Sequence, residues 1–357
     1  MKKNWFLFLS FIKKPENVFI SLSLFFGVLS AVLVPQLSVS DENMHYLRAY
    51  GISQGRVESG SRCTLPKDVA KRAGSVYEGN FSADYSKPID RNILDVDKCS
   101  SASGYPPIMH LPQAVGINIA NIFGGSTGLT ILFGRLANLI FYSFTLYFII
   151  KWVRVGKWVF VVIGLIPLMV HMAASLSSDC VTNVAVFVIT ALTLNLFTQK
   201  NALSNKQIAA LVCIGILLTL TKSINALLLF PLIFLPKHLF AANKNKNIPF
   251  NIQKWAILIM IGVAAIISLL IWQKIFGQPL LTTGATHNPL HSNPLKFIQI
   301  LFNTYINPTI GYTDIVLRGS VGDFSSFKYH LPLFVLIPLF SLLSLSLLHY
   351  NKKDQEL

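Results

Sequence analysis

Apolar positions in this chain come in blocks rather than alternating. Residues 18–34, 129–150, 158–172, 181–197, 208–220, 224–235, 255–272 and 331–348 carry almost no charge. Roughly 20 such residues span a hydrocarbon core. Five of the runs reach about 17 residues, and the other three need their flanks or a re-entrant path to cross. Two long polar stretches, residues 40–112 and 274–328, separate the first run from the second and the seventh from the eighth. The pattern predicts an all-α integral membrane protein: one polytopic domain over residues 1–357, with about eight transmembrane helices and two large external loops.

Shorter signals fill in the plan. Residues 175–178 join the third and fourth runs and residues 222–223 the fifth and sixth, so both joints are hairpins. Tyr105, Pro106 and Pro107 interrupt regular structure near the end of the first loop. Residues 110–123 are then apolar at helical spacing and suit a helix lying along the membrane face. In the second loop, Asn293 and Pro294 read as an N-cap and first helical position, which predicts a second interfacial helix over 295–306.

Charge then sets the orientation. The chain is 53% hydrophobic and 13% charged, with a formal net charge of +15; a soluble domain carries about 25% charged residues. With the N-terminus inside, half of the 30 Lys and Arg fall in the alternate short segments, against Glu16, Asp354 and Glu356 as the only acids there. Short cytoplasmic loops rich in Lys and Arg are the positive-inside pattern, so both termini are expected in the cytoplasm of a bacterial inner membrane. The excess charge orients the protein and does not point to nucleic acid. The first run lacks a small-residue cleavage site before Ser40 and is followed by further runs, which favours an uncleaved helix over a signal peptide. Cys180 and Cys213 lie in apolar runs. Cys63 and Cys99 share the first loop, where an oxidising compartment would let them pair.

Candidate chemistry clusters at the external ends of the runs. Ser40, Asp41 and Glu42 suit the cap and first turn of a helix in which Asp41, His45 and Arg48 share one face. A carboxylate beside an imidazole and a guanidinium can act as a general base, a metal site or a phosphate site; a merely capped surface helix gives the same spacing. Asp179 and Asn183 lie at i and i+4 at the mouth of the fourth run, placed to bind hydroxyls or a metal unless they are simply wetted. Lys222 and Arg135 sit near the outer boundary, where cations either hold a lipid phosphate or snorkel to a carboxylate such as Asp179. His171 reads as a packing residue. No phosphate-cradling loop, HExxH helix or paired CxxC spacing is present, so ATP-driven transport and a zinc centre find no support.

Taken together, several of these stretches resemble a known pattern. Pro35 followed by Asp41, Glu42, His45, Arg48, Ala49 and Tyr50 looks like the opening P-D-E-x-x-H-x-x-R-A-Y motif of an uncharacterised family of bacterial polytopic membrane proteins. Tyr105 to Pro107, Leu111 to Gly116, Gly134 to Asn138, Ser175 to Asp179 with Asn183, and Thr221 with Lys222 continue the likeness over about residues 20–330. One crossing follows the second loop, where the resemblance implies more. That family is similar in layout to the GT-C glycosyltransferases, which transfer sugar from a polyprenyl-phosphate donor. The resemblance implies Asp41 or Glu42 as catalytic carboxylate and Lys222 and Arg135 at the donor phosphate; with His45, Arg48, Asp179 and Asn183 from the spacing above, these are the expected substrate-binding residues. If a divalent metal takes part, Asp41 and Asp179 are its expected ligands. The implied partners are the bilayer, the lipid-linked donor and an envelope glycan or lipid acceptor. A lipid transporter or flippase and a non-catalytic assembly subunit are the competing readings.

Overall fold

The computed structural model describes residues 13–56, 63–97, 101–240, 250–276, 294–306, 323–324, 329–330 and 332–348. Helix α1 (Pro15–Leu33) leads through a tight connection into α2 (Glu42–Ser53). An antiparallel pair, β1 (Cys63–Pro66) and β2 (Leu94–Asp97), encloses α3 (Lys67–Gly74). Then come α4 (Leu111–Ile122), the long α5 (Thr127–Trp152), α6 (Lys157–Gly164), α7 (Pro167–Ala173), α8 (Asp179–Phe197) and α9 (Asn205–Thr221). A 3₁₀ segment (Ser223–Phe234), α10 (Phe250–Phe276), α11 (Pro294–Ile306), the short pair β3 (Asp323–Phe324) and β4 (Tyr329–His330), and α12 (Leu333–Leu348) complete the described chain.

Four of these helices are long and apolar enough to cross a membrane: α1, α5, α8 and residues Ile252–Ile275 of α10. Asn205–Thr221, Ser223–Phe234 and Phe334–Leu348 are shorter apolar helices. The eight uncharged runs therefore do not become eight long helices. Run 158–172 breaks into α6 and α7, because a residue ahead of proline is pushed out of the helical region and Ile166 takes φ −51° and ψ 128° before Pro167. Run 224–235 winds as a 3₁₀ segment with Pro231 inside it. A proline without an N–H cannot continue an α-helical ladder.

The helices pack in two apolar layers. Phe19 of α1, Leu139, Tyr142 and Leu146 of α5, Phe160 of α6 and Val184 and Phe187 of α8 form one core. Leu192 and Leu196 of α8, Leu211 and Leu218 of α9, Leu232 of the 3₁₀ segment and Ile261 of α10 form the second. Close approach is built in by glycine. A Cβ on Gly27 would collide with Leu139 where α1 meets α5, and one on Gly116 would strike the backbone of Phe133 where α4 meets α5. Outward, α1 presents Phe25, Phe26, Val32 and Leu33, and α10 presents Ile252, Ile259, Leu270 and Ile275, all exposed. Apolar helix surfaces of this extent are unfavourable in water and natural in lipid.

A third core lies at the end of the bundle that carries α2, α3 and α4. Leu37, Tyr46, Tyr50, Leu65, Val69, Ile117, Ile131 and Leu176 pack there, and Tyr46 Oη and Thr130 Oγ1 share a hydrogen bond of 2.8 Å. The sequence expectation of a helix over 110–123 corresponds to α4, and that of a helix after Asn293 corresponds to α11. The Cys63–Cys99 pairing involves Cys99, which lies outside the described residues.

Candidate functional site

The expected helix at residue 41 forms, but not with Ser40 as its cap. Helix α2 begins at Glu42, and Asp41 precedes it with φ 57° and ψ 10° and no capping hydrogen bond from its side chain. Leu37 is also left-handed, at φ 64°. Two non-glycine residues with positive φ in one connection are uncommon, although Asp tolerates that region better than most. The turn sends two neighbouring carboxylates to different places. Asp41 is exposed, whereas Glu42 is 0% exposed.

Glu42 is held in a buried frame. Its Oε1 accepts hydrogen bonds from Arg135 Nε at 2.7 Å and Leu176 N at 3.1 Å, and its Oε2 accepts from Arg135 Nη2 at 2.6 Å. Arg135 is also 0% exposed. Its remaining N–H groups donate to the carbonyls of Ala31 and Val34, which the end of α1 leaves without helical partners, and to that of Pro35 just beyond. Thus Arg135 uses its full planar set of donors on protein groups. The hairpin between α7 and α8 is tied into the same frame: Asn138 Nδ2 donates to Ser175 O at 2.8 Å, and Gln113 Nε2 donates to Ser177 O at 3.0 Å. Arg135 and Glu42, expected at a phosphate and in catalysis, are instead bonded to each other and enclosed by the frame.

The other expected residues converge above this frame. Asp179 starts α8 and Lys222 ends α9, and they pair at 2.8 Å with side chains 38% and 45% exposed. So exposed a pair adds little to stability, about 0–1 kcal/mol, and leaves both groups open to a ligand. Burial pulls the Lys222 ammonium down, but Asp179 and Tyr105 outweigh it and hold its pKa above the ordinary value. His45, half-buried on α2, lies in the field of Asp179, Asp41, Glu42 and Lys222; its burial dominates and lowers its pKa. Arg48 donates to Tyr105 O at 3.1 Å, and burial pushes it down to about 10.

Three residues of this neighbourhood escaped the sequence reading as site residues. His110 is fully buried and its Nε2 lies 2.9 Å from His45 Nδ1. Tyr105 flanks both imidazoles, with ring centroids 6.3 and 6.4 Å away. Gln113 holds the hairpin. Tyr105 and Gln113 sit in stretches that carried the family likeness and His110 lies between those stretches, but no spacing rule links residues 45 and 110. His171, expected to be a packing residue, shares a 3.2 Å hydrogen bond with Ser30 Oγ.

Asn183 lies one turn below Asp179 and lines a cavity of about 610 Å³. Its walls come from Phe160 and Ile163 of α6, Val186, Phe187, Thr190 and Leu194 of α8, and Ser346 and Leu347 of α12. Residues 179, 183, 186, 187, 190 and 194 fall at i, i+4, i+7, i+8, i+11 and i+15, a single face of α8. Thr190 turns its hydroxyl back onto Val186 O at 2.8 Å and so leaves a largely apolar wall. From Asn183 to Leu194 the groove follows α8 for about 17 Å, at 1.5 Å per residue. Among the described residues no three His, Cys, Asp or Glu side chains converge as a metal site.

A polytopic helical membrane protein with a charged cluster over an apolar groove is the class that this fold and site define. The family described as "Predicted membrane protein (DUF2142)" matches residues 24–349, and the chain belongs to that family, whose function is unknown. No curated protein and no solved structure matches the chain.

Proposed function

We propose that this protein is a membrane glycosyltransferase of GT-C-like layout. It uses a polyprenyl-phosphate-linked sugar at the external face of the inner membrane and modifies an envelope glycan or lipid. The observation that carries this reading is the continuity of one face of α8, from the Asp179–Lys222 pair down the groove of about 610 Å³. A head group bearing phosphate meets a cation at the top, and a hydrocarbon chain finds an apolar channel below. On this reading eight crossings are α1, α5, the broken α6–α7, α8, α9, the 3₁₀ segment, α10 and α12, with residues 40–112 and 274–328 external.

The chemistry follows from the cluster. Asp41, free of the buried frame, takes the proton from the acceptor hydroxyl as its oxygen bonds to the anomeric carbon. The bond from that carbon to the donor phosphate breaks, its electron pair goes to the phosphate oxygen, and Lys222 stabilises the leaving anion. Asp179 holds Lys222 in place until the phosphate replaces it. Glu42 and Arg135 belong to the frame rather than to the reaction.

Asp41→Asn tests the base. Sugar transfer, scored as restoration of an envelope glycan in a deletion strain, is expected to fall about 10²–10⁴-fold at normal membrane abundance. Full restoration by this variant would remove Asp41 from the mechanism. The groove also reaches Thr198 at the far end of α8, which suits a lipid flippase; in that case Asp41→Asn leaves lipid translocation between leaflets unchanged.

A further inference from the structure

The contact between His45 and His110 has a consequence for the site. His45 Nδ1 and His110 Nε2 are 2.9 Å apart, with ring centroids 5.1 Å apart. His110 is fully buried, and its Nδ1 has no partner among the described residues. The charged and titratable groups facing the pair are Asp41, Glu42 and Arg48 around α2, Tyr105, and Asp179 and Lys222 from α8 and α9. Burial, His45 and Arg48 all oppose a charge on His110, so it stays neutral.

Two neutral imidazoles in such contact share one proton, and the far nitrogens decide which ring supplies it. If His45 donates from Nδ1, His110 must carry its own proton on Nδ1, buried and without an acceptor. If His110 donates from Nε2, only a bare lone pair remains at its Nδ1. Orphaned buried N–H groups are the rarer of the two defects. The second arrangement therefore prevails, and it places the His45 proton on Nε2. That atom has no protein partner among the described residues.

We propose that His110 is a positioning residue that fixes His45 as a neutral Nε2–H donor, and that this donor binds an oxygen of the phosphate held by Lys222. The lock rests on the 2.9 Å contact and on the burial that keeps His110 neutral with its Nδ1 unpartnered; the phosphate as ligand rests on the glycosyltransferase reading. His45 then binds an oxyanion, while Asp41 remains the base.

The test uses full-length protein in lipid nanodiscs, with histidine rings labelled with ¹⁵N and the His45 signals assigned by their loss in His45→Gln. At pH 7.5 the wild type is expected to show His45 bare at Nδ1 and protonated at Nε2. His110→Leu removes the donor and is expected to give a mixture of both tautomers. His110→Gln, which offers an amide N–H from a similar position, is expected to restore the wild-type pattern. A wild-type His45 protonated on Nδ1 overturns the lock, and so does an unchanged pattern in His110→Leu. If His110→Leu does not fold, the wild-type spectrum decides by itself. A second arm measures undecaprenyl phosphate binding, expected to be about tenfold weaker in His110→Leu and recovered in His110→Gln. Equal binding by all three, with the tautomers as expected, leaves the lock standing and removes phosphate as its ligand.

Discussion

Asp41 and Glu42 are neighbours in sequence, yet the connection with left-handed residues at 37 and 41 leaves one exposed and buries the other. Charge-removing substitutions should therefore part company. Glu42→Gln leaves Arg135 buried among carbonyls with no counter-charge, and breaking a buried pair costs about 3–5 kcal/mol. Membrane abundance and thermal stability of Glu42→Gln are expected to drop sharply, while those of Asp41→Asn stay near wild type. Asp41→Gly goes further, since glycine adopts positive φ without strain: it is expected to be at least as stable as the wild type and inactive. Activity retained in Asp41→Gly would show that this position supplies only a turn. The two histidines add a pH dependence. Burial lowers both pKa values below the ordinary value of about 6.5, so the folded state binds fewer protons than the unfolded one. Their contribution to stability is complete above that value and is lost as pH falls from it toward the folded pKa values. Thermal melts from pH 7.5 to 5 should show this decline, and His110→Leu should flatten it. At this scale the residue types were legible in the sequence. The division between frame and cluster was not, because it depends on the backbone at residues 37 and 41 and on α5 and α8 arriving from far along the chain.

At the scale of elements, the blocks of apolar residues located the helices well, since lipid burial and core burial both demand uncharged runs. They read poorly on continuity. Run 158–172 is apolar throughout yet contains Pro167, and hydropathy weighs a proline as another apolar residue while the backbone loses a donor. The glycine contacts are likewise invisible to hydropathy. Gly116→Val pushes a side chain into the Phe133 backbone, and Gly262→Ala on α10 meets nothing within 4 Å. Overpacking costs about 1–3 kcal/mol where neighbours can shift, and a backbone neighbour shifts least. Gly116→Val is expected to reduce membrane abundance severalfold, with α4 lifted from α5, whereas Gly262→Ala remains at the wild-type level on the same immunoblot. Equal abundance of the two would mean that α4 is not packed as described.

The whole molecule combines an apolar belt, which α1 and α10 turn outward, with a charged cluster at one end and a groove beneath it. The belt was legible from composition; the groove was not, since α6, α8 and α12 meet there across nearly two hundred residues of chain. Orientation decides which compartment the cluster faces. Alkaline phosphatase fused after Lys87 is expected to be active and a fusion after Lys246 inactive, as the distribution of Lys and Arg requires. The groove then gives the most direct test of a lipid ligand. Thr190 is exposed on its wall, so Thr190→Trp fills space in the channel without displacing a packed core. A tail excluded from about 17 Å of apolar wall loses burial worth about 0.8 kcal/mol for each methylene displaced. Losing even three methylenes weakens binding by more than tenfold. Ile140→Trp, on an exposed surface of α5 outside the groove lining, controls for added bulk at a lipid-facing position. In nanodiscs, undecaprenyl phosphate binding is expected to fall at least tenfold in Thr190→Trp and to stay unchanged in Ile140→Trp, with both variants at normal abundance. A short-chain analogue with the same phosphate head should bind wild type and Thr190→Trp alike, because it reaches Lys222 without entering the channel. Unchanged long-chain binding in Thr190→Trp would place the hydrocarbon chain elsewhere and leave the groove to ordinary membrane lipid.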